Sequence, residues 1–193
     1  MDNIRFSRTA GLLLIIGALV GVGCGVREGL FPTTWGTSQF VVMQVIVLIA
    51  NTLVLIGVIG LARSGAAGES RLAKIGLGIA VLGSALFLPF EVFIIVNLEL
   101  GGMLLTLCAL LQGLGLLLAG IAVLRAGRWH GWHRLTPLLC GLYPYLVLIP
   151  AFAVSDGYNA WALAGWQIPF VLLGLALSQQ RLAPAASTAA VGA

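Results

Sequence analysis

Charge is what this sequence has least of. Six Asp plus Glu and ten Lys plus Arg amount to 8% of its 193 residues, where a water-soluble domain carries about 25%. So few charges cannot cover a globule of this size, and with 60% apolar residues most of the surface must face something oily. Lysine occurs once, as Lys74 near the start of an apolar run, which leaves a retinal Schiff base without a site. The two histidines, His130 and His133, both lie between apolar runs, so paired axial ligation of a haem inside a bundle is excluded. Three cysteines (Cys24, Cys108 and Cys140) scattered through apolar surroundings suit small core fillers better than a disulfide framework. Metalloprotease, nucleophile-elbow, P-loop and Cys-x-x-Cys motifs do not occur. These gaps disfavour a motif-bearing enzyme, and neither a cofactor nor a metal is expected.

What the chain does have is length in its apolar runs. A hydrocarbon core of about 30 Å takes about 20 helical residues. Six runs qualify, at about 10–26, 40–62, 73–96, 102–124, 136–154 and 160–178. None alternates as a strand would, and Leu, Ala and Gly dominate most of them, so the expectation is an all-α integral membrane protein, a bundle of six transmembrane helices over residues 1–178. The tail, 179–193, is rich in Ala and is expected to be disordered.

Cations test that count, because cytoplasmic loops accumulate Lys and Arg. Six crossings put Arg5, Arg8, Arg63, Arg71, Lys74, Arg125, Arg128, Arg134 and Arg181 on one side and only Arg27 on the other. Both termini are therefore expected in the cytoplasm of a plasma membrane, and the Arg-over-Lys bias suggests a bacterial one. The net charge of +4 expresses this asymmetry and gives no reason to invoke nucleic acid. Trp35, Tyr158 and Trp161 fall at the outer boundary and Trp129 and Trp132 at the inner one, where aromatic rings prefer to sit. A cleaved lipoprotein-type signal ending at Cys24 is disfavoured, since Gly21 stands where such signals use Leu.

Arg8, Arg71 and Arg134 precede the odd-numbered runs at equal spacing, and Gly57–Gly65 echoes Gly120–Gly127. Three tandem two-helix repeats are one arrangement that this spacing allows, although apolar helices with arginines at their cytoplasmic ends look periodic without any duplication.

Glu91 is the residue that needs explaining. An acidic side chain deep in a bilayer costs about 2.5–3.5 kcal/mol even on lenient scales, so Glu91 is expected to face protein, either as a proton or cation site or as a structural residue, protonated and bonded to a backbone carbonyl or reaching the outer interface. Gly76, Ala80 and Ser84 make a stripe of small residues on nearly the same helix face, and Pro89 frees a backbone carbonyl beside it. Gln44, Asn51, Gln112 and Gln167 are the other intramembrane polar side chains that could line a pocket with it; taken singly, each serves as interhelical glue. Tyr143 and Tyr145 flank Pro144, where a kink is expected. The loop holding Arg125, Arg128, Trp129, His130, Trp132, His133 and Arg134 offers no third or fourth metal ligand and reads as a collar for anionic headgroups, or as a docking edge for another subunit.

Three functions fit. The leading expectation is an accessory or assembly subunit of a larger membrane complex, contacting lipids, other subunits or further copies of itself. The alternatives are a small proton- or cation-coupled transporter or channel using Glu91, and an enzyme acting on lipid or quinone.

Overall fold

The computed structural model describes residues 2–155 and 158–179. Those residues form helices and no strand, and six helices are long and apolar enough to cross a bilayer. They are α1 (Asp2–Leu30), α2 (Ser38–Arg63), α3 (Arg71–Phe93), α4 (Leu98–Ala126), α5 (Gly131–Val154) and α6 (Ala160–Ser178). Outward stripes are apolar at helical spacing, as in Leu12, Ile16 and Leu19 of α1 and Val42, Val45 and Ile49 of α2.

Short polar side chains start four of these helices. Thr37, Ser70, Asn97 and Asn159 have extended backbones and accept from the N–H groups of Phe40, Ala73, Leu100 and Ala162. Asn97 also explains a difference from the expected third span. Residues 94–96 are apolar enough to continue α3 to residue 96, yet the helix stops at Phe93 because the chain must turn before Asn97 opens α4. Gly127 closes α4 in the left-handed region, at φ 62°. The fifth helix is a composite: a 3-10 turn at Gly131–Leu135, an α-helix at Thr136–Tyr143, a π turn at Pro144–Leu148 and a last α-helical piece at Ile149–Val154. Pro144 has no N–H to give the carbonyl of Cys140, so the expected disturbance takes the form of a π turn. Gln179 caps α6, and the rest of the tail expected to be disordered lies outside the described residues.

Each helix packs on its chain neighbours, and α6 returns to pack along α1. Glycines show that this ring is built from two parts. In α1, Gly11, Gly21, Gly25 and Gly29 lie against Ser178, Gln167, Ala164 and Trp161 of α6, while Gly17 meets Ala50 of α2 and Gly57 and Gly60 of α2 meet Leu14 and Ala10. A second group joins α3, α4 and α5: Gly76 meets Ala119, Gly83 meets Gln112, Gly120 meets Leu138 and Gly141 meets Leu117. A Cβ on Gly83 would stand 2.6 Å from the Gln112 amide nitrogen, so only a residue without a side chain permits this approach.

No glycine makes such an approach between α2 and α3, and at the α5–α6 boundary the contact at Gly165 is the tip of a side chain, the Tyr143 hydroxyl. The domain is therefore two three-helix units, α6–α1–α2 and α3–α4–α5, meeting along two seams of side chains. Their middle helices, α1 and α4, are 29 residues each and run in opposite directions, being three spans apart. Within α5–α6 no glycine meets a backbone as closely as those within α1–α2 and α3–α4 do.

Candidate functional site

Glu91 lies on the α2–α3 seam. It is 5% exposed, and its Oε1 accepts a 2.9 Å hydrogen bond from Nδ2 of Asn51, midway along α2. Glu91 itself is only two residues from the end of α3, nearer that end than the longer expected span placed it. Among the described residues no Lys, Arg or His lies within ion-pair distance of it; the ion pairs are Arg27–Glu28 and Lys74–Glu69. A neutral amide is thus the partner that offsets the burial of this carboxyl. Pro89 cannot donate to the Ala85 carbonyl, which leaves a second polar atom one turn away on α3.

One turn before Glu91, Phe87 faces the same way and reaches across the ring. Its centroid is 6.0 Å from that of Trp166 in α6, and Trp166 in turn lies 5.8 Å from Phe170, edge to face. The indole N–H of Trp166 and the Oε1 of its neighbour Gln167 are buried without a hydrogen-bond partner among the described residues. The sequence reading missed Phe87 and Trp166. The signal was present: a Trp in mid-span, far from the interfaces such rings prefer, and a Phe four residues before the intramembrane acid.

The five expected pocket residues do not converge. Asn51 joins Glu91, but Gln112 belongs to a separate pair inside the second unit. Its Nε2 donates to Ser84 Oγ at 2.6 Å, and Ser84 donates to the Ala80 carbonyl at 2.7 Å, so the α3 stripe and Gln112 bind α3 to α4. Gln167 packs on Gly21 of α1, and Gln44, half-buried on α2, joins neither pair. The geometric reason is that these side chains leave their helices toward different neighbours. Tyr145 donates to the Leu110 carbonyl at 2.7 Å, tying α5 to α4 beside the π turn.

The arginine-rich end holds the second group of candidates. Trp129 departs from the expected headgroup collar: it is 7% exposed and packs in the core cluster, while Trp132 is exposed and stacks on His133, with centroids 4.2 Å apart. His133 faces the His130 carbonyl through Nδ1 and Gln179 Oε1 through Nε2. Arg128 donates to the Gly65 carbonyl at 2.8 Å, fastening this loop to the α2–α3 connection. Arg125 lines a smaller hollow beside it, and Arg134 is exposed. Among the described residues no three His, Cys, Asp or Glu side chains come together as a metal site.

Helices of this length and composition, closed in a ring with no strand among the described residues, are consistent with a multi-pass membrane protein. No protein-family profile, curated protein or solved structure matches the chain.

Proposed function

We propose that this protein is a small membrane carrier, coupled to a proton or cation through Glu91, with its arginine-rich end toward the cytoplasm. The observation that carries the reading is where Glu91 lies: on a seam between two three-helix units of opposite direction, held by a single neutral partner. Units locked internally by glycine contacts and joined by side chains can rock against each other without breaking their own packing. That is the physical requirement for exposing a buried site to one side and then the other. An acid without a counter-ion at such a seam can gain a proton or cation in one state and lose it in the other. The positive-inside bias sets the orientation. Lipid can cover the apolar outward faces, and a stoichiometric partner retained on purification would favour the subunit role instead.

Infrared difference spectroscopy of the purified protein, stepped from acid to alkaline pH, tests this directly. The expected result is a carboxylic-acid carbonyl band that disappears reversibly with pH, is absent in Glu91→Gln, and exchanges with solvent deuterium. Reconstituted into liposomes with a trapped pH indicator, the wild type should move protons down an imposed gradient in the presence of its substrate, and Glu91→Gln should not. A carboxyl band unchanged across the whole pH range, with Glu91→Gln indistinguishable from wild type, would leave Glu91 a structural residue and remove the carrier.

A further inference from the structure

At the arginine-rich end the two units part around a cavity of about 910 Å³. Its wall comes from four separate stretches of chain: Arg8 of α1, residues 64–66 between α2 and α3, residues 128–133 from the α4–α5 connection into the first turn of α5, and residues 176–179 at the end of α6. Arg8, Arg128, His130 and His133 contribute to the lining, and among the described residues no acidic side chain does. Both guanidiniums are positioned through one nitrogen by a backbone carbonyl: Arg8 Nε donates to Ser178 at 3.2 Å and Arg128 Nη1 to Gly65 at 2.8 Å. Each keeps further N–H donors for a ligand. Trp129 also lines the cavity, and its buried indole N–H has no acceptor among the described residues. That nitrogen is closed off from the open space, so the ring packs as part of the wall and the donors facing the cavity are the arginines.

We infer that this cavity binds a phosphate-bearing anion, with Arg8 and Arg128 on its oxygens. The donors fit that class: two guanidiniums with fork geometry and, among the described residues, no competing carboxylate. Its place at the headgroup level, between spans and beside exposed Trp132, makes the phosphate of an anionic lipid one source and a free phosphate another. Because Arg8 and the Gln179 end belong to one unit and residues 128–133 to the other, the bound anion bridges the halves. The site does not depend on Glu91 carrying a proton.

The test uses the full chain in neutral detergent, following intrinsic Trp fluorescence during titration with inorganic phosphate and, separately, with short-chain phosphatidylglycerol; phosphatidylcholine is the neutral control. Saturable binding of either anion is expected, weakened about tenfold by Arg8→Gln or Arg128→Gln. Arg134→Gln removes the same charge outside the cavity and should leave affinity unchanged. Binding of phosphate by itself identifies a soluble anion, and binding of phosphatidylglycerol alone identifies a headgroup; both support the site. Equal weakening by Arg134→Gln would mean diffuse surface attraction, and absence of saturable binding by a monodisperse wild type would mean no site; either overturns the inference.

Discussion

Replacing one glycine inside a unit tests the two-unit architecture. In Gly83→Ala the new methyl would lie 2.6 Å from the backbone nitrogen of Gln112 and 2.8 Å from its Cα. Ordinary carbon contacts are about 3.5–4.0 Å, so α3 and α4 must separate locally by about 1 Å. The obstacle is backbone, which cannot rotate away, and overpacking of this kind costs about 1–3 kcal/mol. Ala also favours the helix by about 1 kcal/mol over Gly, which would mask part of the loss. Gly78→Ala provides the reference: it lies on the same helix with nothing within 4 Å of its added methyl, so the propensity gain is shared and cancels in the comparison. Gly83→Ala should therefore be about 1–3 kcal/mol less stable than Gly78→Ala, a difference of about 2–12 °C in melting temperature at about 2–4 °C per kcal/mol. A thiol-reactive fluorophore reads it, because Cys108 and Cys140 are 2% and 0% exposed and label only on unfolding. Cys24, which is half-buried, is removed beforehand as Cys24→Ala. Equal melting of the two glycine variants would show that the backbones do not approach as described and would undo the division into units.

Three further substitutions follow from single contacts. Asn51→Leu strands the Glu91 carboxyl without its partner and should cost about 1–3 kcal/mol in the same melting assay; adding Glu91→Leu should restore most of it, and a double variant as unstable as the single one would contradict the pairing. Asn97→Ala removes the side chain that accepts from the Leu100 N–H and should cost about 0.5–2 kcal/mol, while Thr106→Ala, in mid-helix, serves as the comparison. Tyr145→Phe deletes the bond to the Leu110 carbonyl and should cost about 0.5–1.5 kcal/mol; no change would mean that α5 is not tied to α4 through this hydroxyl.

Much of the fold was legible before any coordinates. Mean hydropathy is additive along a helix, so six apolar runs announce six helices whatever surrounds them, and the arginines at alternate ends order those helices without knowledge of packing. The end of α3 was misjudged because residues 94–96 are as apolar as the helix they follow; only the Asn97 side chain, bonded to Leu100, marks the turn. Glu91 stood out because a lone acid among apolar residues needs a partner. Which partner it takes was not legible, since Gln44, Asn51, Gln112 and Gln167 are chemically alike and differ in the direction each leaves its helix.

Sequence alone thus determined how many helices there are, where the cations gather and which acid is anomalous, because each is a local property that sums along the chain. Tertiary structure decided everything that depends on rotation and register: that Gly11 meets α6 and Gly17 meets α2, that Phe87 reaches Trp166, that Trp129 turns inward, and that Arg8 shares a cavity with Arg128. Helices apolar on nearly every side carry little sign of which face turns to a neighbour and which to lipid. That choice is made only when glycines on one helix find a backbone they can touch.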